Sequence, residues 1–150
     1  MKKLLIALCL GGIFASQSQA QILSVREQAR VINENLAERY ETLLPEIMAQ
    51  TGIDMWVMIT REYNEDPVIK TMLPAEWLNA RRRTMLVFYF DDKTKKVDKL
   101  AVARYDFGDH VKAAWDTQKF PEQWDALIAL IKQRQPKKIG INISKDFGHA

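Results

Sequence analysis

Apolar positions between residues 25 and 50 recur three or four residues apart, which is the spacing of a helix with one buried face. Ser24 and Glu27 have the spacing of a capping box, in which each side chain satisfies a free backbone donor. Pro45 lacks an amide hydrogen and is expected to kink or interrupt the helix, and Gly52 is expected to end it. The pattern predicts a long amphipathic helix over residues 25–50, with this apolar face: Val25, Ala29, Ile32, Leu36, Tyr40, Leu43, Leu44 and Ile47.

Two apolar runs in the middle of the chain, residues 53–60 and 84–90, predict strands that are covered on both faces. Both runs are rich in β-branched and large apolar residues and lack clean alternation. Residues 91–96 form a polar turn, and the chain is expected to return over residues 97–104 as an antiparallel partner. Between the first two strands we expect a short helix that begins at Pro67 and a further helical turn over residues 76–83.

A second strong helix is predicted after residue 120. Pro121 and Glu122 suit its first turn, and Pro136 prevents its continuation. Residues 139–143 then form a short apolar run, which we expect to be a buried strand after a crossover helix. The order of elements predicts the α/β class, a mixed sheet flanked by helices. The expected apolar stripe of the second helix is Trp124, Leu127, Ile128 and Ile131.

The N-terminus has the three regions of a signal peptide. Lys2 and Lys3 precede an apolar run over residues 4–14, and small residues follow up to Ala20. The apolar run is shorter than the roughly 20 residues that a membrane-spanning helix needs. We therefore expect residues 1–20 to be cut off before Gln21, and residues 21–150 to form one exported domain, periplasmic or secreted, with no membrane attachment afterwards.

Charge and cysteine content narrow the possible partners. The chain has 22 basic and 19 acidic residues. Removal of the signal peptide takes away Lys2 and Lys3, so the net charge of the mature chain is close to zero. A near-zero net charge argues against a nucleic-acid partner. The one cysteine of the chain, Cys9, lies in the signal peptide, so the mature domain forms no internal disulfide. Leu8 before it is too bulky for a typical lipidation site.

The mature chain lacks the motifs of the common enzyme classes. It has no Gly-x-Ser-x-Gly elbow and no glycine-rich phosphate loop. Asp106 and Asp109 near His110 are better interpreted as an exposed polar loop than as a metal cluster, and His149 has no evident partners. Trp56 and Trp124 lie on apolar faces and are expected in the core. We predict no catalytic residue and no metal ligand in this chain.

Two phrases, ITREYNEDPVIKTMLP over residues 59–74 and ARRRTMLVFY over residues 80–89, resemble the N-terminal domain of the creatinase and Xaa-Pro aminopeptidase metallopeptidases, the pita-bread family. The resemblance is to an exported bacterial branch and covers nearly the whole mature chain. It implies a creatinase N-terminal-like fold, truncated here at its C-terminal end, without the catalytic pita-bread domain. The complete protein would hydrolyse the bond before proline in short peptides, although prolidase or creatinase-like specificity stays open.

The resemblance also implies cofactors and partners. In this family two divalent ions, manganese, zinc or cobalt, are held by two aspartates, a histidine and two glutamates of the C-terminal domain. The present domain would bind its own catalytic domain, limit access to short proline-containing peptides and help to form a homo-oligomer. The alternative is a free-standing periplasmic binding or interaction protein derived from the same domain. An unrelated secreted α/β enzyme is a third possibility, and it lacks a recognisable catalytic cluster.

The candidate site residues lie in two loops at strand ends, where α/β domains place functional groups. They are Arg61, Tyr63 and Asn64 after the first strand, and Arg81, Arg82 and Arg83 before the second. In creatinase-like relatives the N-terminal domain leans over a neighbouring active site and can lend an arginine to a substrate carboxylate, a task that suits bidentate guanidinium. The alternatives are a solvated basic cluster that keeps an apolar strand soluble and, after the first strand, a local hydrogen-bonded network.

Overall fold

Five strands form one mixed sheet in the computed structural model, which describes residues 22–147. In chain order they are β1 (Met55–Arg61), β2 (Arg83–Asp91), β3 (Lys96–Ala101), β4 (Lys112–Ala113) and β5 (Ile139–Ile141). Their order across the sheet is β4-β3-β2-β1-β5. The central strands β1, β2 and β3 are antiparallel, whereas β4 and β5 run parallel to their neighbours. The predicted α/β class and mixed sheet are confirmed.

Some predictions concern residues that lie outside the described part of the chain. They are the signal peptide over residues 1–20, its cleavage between Ala20 and Gln21, Cys9, and His149. Within the described part, no helix is long and apolar enough to cross a membrane.

The long N-terminal helical region begins as predicted and continues through Pro45. It consists of α1 (Val25–Glu38), a π-helical turn (Arg39–Leu43) and α2 (Leu44–Thr51). The capping box is present, since the Ser24 hydroxyl accepts the amide of Glu27 and the Glu27 carboxylate accepts the amide of Ser24 at 2.9 Å. Pro45 lies in the first turn of α2, directly after the π-helical turn, so helical structure is present on both sides of the proline. Gly52 ends the region at φ +63°.

Each face of the sheet is covered by helix, which gives two hydrophobic clusters. Side chains of β2 alternate between them. Leu86 and Phe88 face the α1 and α2 side, where Tyr40 is buried, while Val87 faces the opposite side and packs with Leu127 of α4 (Gln123–Arg134). The prediction that β1 and β2 are covered on both faces is therefore confirmed. A short helix, α3 (Pro67–Thr71), follows β1 with proline in its first turn, also as predicted.

Residues 76–83 do not form the expected helical turn. The Asn33 side chain accepts the amide of Ala75 at 2.8 Å, and Trp77 packs against Phe107 with ring centroids 4.4 Å apart. Arg82 then adopts a positive φ of 47° before β2 begins. Contacts with distant parts of the chain thus hold this segment in an irregular conformation against its local helical preference.

Strand β3 ends three residues earlier than predicted. It ends at Ala101, because the carbonyl groups of Ala101 and Ala103 accept amides of Ala114 and Trp115 from the returning segment. Arg104 therefore lies beyond the strand rather than inside it.

Helix α4 begins after the predicted start and buries a different stripe. Glu122 occupies the N-cap position with extended backbone, so Pro121 lies outside the helix. Leu127 is buried as expected, and it shares the buried face with Ala126 and Leu130. Trp124 and Ile128, expected in the core, are 38% and 47% exposed. The helix carries apolar residues on two sides, and the side with small Ala126 packs on the sheet.

Strand β5 is not the buried strand that we expected. It pairs with β1 at the sheet edge over three residues, and Ile141 is 62% exposed. Gly140 in its centre faces Ile53, where a Cβ atom would come within 3.0 Å of that side chain. The close approach is possible because glycine has no side chain. Trp56 next to it does pack against the core, with its ring 5.5 Å from that of Phe88.

Candidate functional site

The loop after β1 and the loop before β2 meet at one end of the sheet. The antiparallel register sets Arg61 opposite Arg83. Beyond this pair, the amide of Glu62 donates to the carbonyl of Arg82 at 2.7 Å, and the amide of Arg82 donates to the Glu62 carboxylate at 3.0 Å. The local sequence folds this way because antiparallel pairing sets the end of one strand beside the start of the next. The structure therefore brings Arg61 and the arginine triplet together.

These loops form one wall of a cleft of about 780 Å³, here called the arginine cleft. The second wall comes from the segment after β3 and from the start of α4. Its guanidinium groups belong to Arg61, Arg81, Arg82, Arg83 and Arg104, and Trp115, Glu122 and Gln123 lie among the other lining residues.

Three of the five arginines stack on tryptophan rings. The guanidinium of Arg83 lies 5.2 Å from the ring centroid of Trp124, and that of Arg104 lies 6.0 Å from the ring of Trp115. Arg81 lies over Trp77 in the same way, at 5.6 Å. Within residues 22–147, none of the five arginines makes an ion pair with a carboxylate. Aromatic contacts therefore hold these cations and leave their charge available.

Hydrogen bonds around the cleft fix the backbone that carries the arginines. Thr84, which is buried, accepts the amide of Arg81 at 3.1 Å. Gln123 at the start of α4 donates its side-chain amide to the carbonyl of Val102 at 2.6 Å. The indole N–H of Trp115 donates to the carbonyl of Phe120 at 2.8 Å. Both walls are thus tied to the sheet or to themselves by specific bonds.

Tyr63 and Asn64 are not among the residues that line the cleft. Tyr63 is 89% exposed at the loop tip, with a positive φ of 68°. The amide of Asn64 donates to the carbonyl of Arg61 and closes the turn. Of the network suggested for this loop, the structure contains the contact of Glu62 with the backbone of Arg82. The four arginines of the two loops are therefore the part of the predicted set that converges.

Sequence reasoning missed the second wall of the cleft. Arg104 could have been found, because an antiparallel β3 ends beside the start of β2 and the residue lay at the end of the predicted strand. Trp115 had no comparable signal, since the segment around it has no clear hydrophobic period. It reaches the cleft through β4, a strand of two residues.

Asp106, near His110, forms hydrogen bonds within its own loop. One oxygen of Asp106 accepts the amide of Ala113 at 2.7 Å and the other accepts the Lys112 ammonium at 3.0 Å. The hydrogen bond from Ala113, followed by that from Lys112, lowers the pKa of this carboxyl. His110 packs against Tyr40, with ring centroids 5.8 Å apart and the rings tilted by 51°. Across residues 22–147, no three histidine, cysteine or acidic side chains are grouped so as to hold a metal ion.

Comparison of the chain with protein-family models, with curated proteins and with solved structures found no match.

Proposed function

We propose that this chain is the non-catalytic N-terminal domain of an exported Xaa-Pro aminopeptidase-like metallopeptidase. The observation that carries the proposal is the convergence of the two characteristic phrases. Residues 59–74 include the last three residues of β1, and residues 80–89 include most of its antiparallel partner β2. The adjoining ends of these strands and their loops contribute Arg61 and the arginine triplet to one cleft. The mixed α/β sheet with helices on both faces is consistent with a creatinase N-terminal-like domain.

In the complete protein, hydrolysis of the bond before proline would take place in a separate catalytic domain. Two divalent ions, manganese, zinc or cobalt, would supply the hydrolytic chemistry there. Residues 22–147 offer no group of three potential ligands for such ions, so the role assigned to this domain is to restrict access to short peptides and to help assemble a homo-oligomer. Within that role, one guanidinium of the triplet would bind the free carboxylate of a peptide.

The test begins with the gene beyond codon 150 and the size of its native product. We expect a longer protein with aspartate, histidine and glutamate ligands downstream, and metal-dependent cleavage of short Xaa-Pro peptides. Arg81, Arg82 and Arg83 are then changed singly to alanine in that product, with Arg26→Ala on α1 as the control outside the cleft. At least one triplet variant should raise the KM or alter the oligomer, whereas the control should do neither.

A second candidate is a free-standing periplasmic binding protein, and the charge of the cleft favours it. Five arginines and two glutamates are among its lining residues, a balance that suits an anionic ligand. A native product that ends at Ala150 and is monodisperse, exported and cooperatively folded would support this candidate and remove the peptidase proposal.

A further inference from the structure

The arginine cleft concentrates positive charge that its own carboxylates do not neutralise. Five arginines line it against two glutamates, Glu62 and Glu122. The first of these already accepts the backbone amide of Arg82. Of the cations outside the cleft within residues 22–147, some pair with a carboxylate, as Lys112 and Arg134 do, and others make no ion pair. Guanidinium stays protonated at any physiological pH, so the cleft keeps a net positive charge.

The guanidinium groups are also oriented before any ligand arrives. The guanidinium carbons of Arg83 and Arg104 lie over the indole rings of Trp124 and Trp115, at 5.2 and 6.0 Å from the ring centroids. The second indole is itself held by its hydrogen bond to Phe120. Stacking uses the face of the guanidinium and leaves its N–H edges for an acceptor. Groups that are already positioned lose less conformational entropy when they bind.

The start of α4 adds a further positive contribution. Gln123, the first residue of this helix, lines the cleft, and the Glu122 side chain makes no capping hydrogen bond. The amide end of a helix favours negative charge. It acts here together with the five side-chain cations, not as a site of its own.

The dimensions of the cleft limit what it can bind. Its volume of about 780 Å³ lies within the range of roughly 300–1,000 Å³ that is typical of small-molecule sites. The arginines come from three separate segments, at residue 61, at residues 81–83 and at residue 104. A small molecule with several acidic groups can pair with more of these guanidinium groups at the same time than a single acidic group can.

We propose that the arginine cleft is a binding site for a small anion that carries two or more carboxylate or phosphate groups. The observations behind this site concern the arginines and their neighbours in this chain, and they involve neither a metal ion nor a catalytic domain. The anion site therefore goes beyond the proposed peptidase function and does not depend on it.

The test is calorimetric titration of the 150-residue chain with citrate and, separately, with pyrophosphate, in metal-free buffer at low salt and at about 150 mM salt. We expect saturable binding of at least one probe to one site. Arg83→Gln and Arg104→Gln should each weaken it about tenfold, since each removes a charge-assisted bidentate contact. Arg26→Gln, on exposed α1, should bind like the wild type.

Arg104→Lys separates geometry from charge. The lysine variant keeps the positive charge but lacks the planar guanidinium. We therefore expect its affinity for the probe to lie between that of the wild type and that of Arg104→Gln. Thermal unfolding shows whether each variant is folded. If Arg104→Gln is unfolded, the affinity of Arg104→Lys is compared with that of the wild type instead.

Binding of both probes, or of one, supports the proposal, and the preferred probe identifies the acidic group. Failure of both probes to bind the wild type would overturn it, as would equal affinities of the folded Arg104→Gln and Arg26→Gln variants. No peptide hydrolysis enters the experiment, so a negative result here leaves the metallopeptidase proposal standing.

Discussion

The side-chain amide of Asn142 donates a hydrogen bond of 2.8 Å to the carboxylate of Asp66, a residue 76 positions earlier in the chain. The carbonyl oxygen of the same Asn142 side chain accepts the indole N–H of Trp56 at 2.7 Å. Asp66 in turn caps α3 by accepting the amide of Val68, and its own amide donates to Thr60. These hydrogen bonds join the segment after β5 to the loop that follows β1, whose last residue, Arg61, lines the arginine cleft.

Replacing Asn142 by leucine should destabilise the protein by about 1–3 kcal/mol, because the partly buried Asp66 and Trp56 both lose a partner. Urea unfolding at neutral pH measures the change. Asn79→Ala, at an exposed position, is the control and should stay within about 0.5 kcal/mol of the wild type. An Asn142→Leu variant as stable as this control would show that the network contributes nothing.

The buried Tyr40 should make stability fall at alkaline pH. Its hydroxyl donates to the carbonyl of Met72 at 2.5 Å, and burial raises its pKa above the ordinary value of about 10. The unfolded chain therefore releases this proton first, so the stabilisation is complete below about pH 10 and is lost as the pH rises further.

Tyr40→Phe should remove that part of the alkaline dependence and lower stability at pH 8 by about 1 kcal/mol, because the Met72 carbonyl loses its donor. Tyr63→Phe, at the exposed loop tip, is the control and should be as stable as the wild type at pH 8. Urea unfolding between pH 8 and 11 compares the three proteins. Parallel profiles for the wild type and Tyr40→Phe would contradict the assignment.

The buried face of α4 is tested by two neighbouring residues. Leu127→Ala should cost about 2–5 kcal/mol, because it leaves a cavity in the cluster between α4 and the sheet. Ile128→Ala, one position later on the exposed side, should cost less than about 1 kcal/mol. Chemical denaturation measures the free energy of unfolding of both variants. Similar decreases in the two variants would mean that the helix is rotated from the described orientation.

Loss of the Gln123 side chain should lower the free energy of unfolding more than loss of Gln133, the other glutamine of α4. Gln123→Ala removes the donor to the buried Val102 carbonyl and should cost about 1 kcal/mol. Gln133→Ala, on the exposed side of the same helix, should have no cost. We also expect the Gln123 variant to bind multivalent anions more weakly, since this bond ties one wall of the arginine cleft to the sheet. Unchanged stability and unchanged affinity together would exclude this role.

The parts of the fold that could be predicted from sequence are those with strong local patterns. Residues 84–90 are apolar on both faces, and the observed β2 extends this range by one residue at each end. The capping box at Ser24 and the stop at Gly52 are likewise local, because each depends on neighbouring backbone. Residues 76–83 could not be predicted, since their conformation depends on Asn33 and on the ring of Phe107. Periodicity also does not decide which of the two apolar sides of α4 packs on the sheet.

The candidate site was predictable to a similar degree. The loops with Arg61 and the triplet had to meet once β1 and β2 were paired. Tyr63 is polar, aromatic and close in sequence, yet the turn directs it to solvent. Trp115 lies in an irregular segment, and its place in the cleft depends on the pairing of β4 with β3, which leaves no local trace.

The π-helical turn keeps one row of side chains aimed at the sheet. The buried residues Leu36, Tyr40, Leu44 and Met48 are spaced four apart, and in an ideal α-helix each such step overshoots a full rotation by about 40°. The wider turn at Arg39–Leu43 advances through a smaller angle per residue and absorbs this drift. The π-helical turn therefore corrects the rotation of this row of side chains about the helix axis. Removal of one residue from the turn would rotate Leu44 and Met48 away from the sheet, while Leu36 would stay in place.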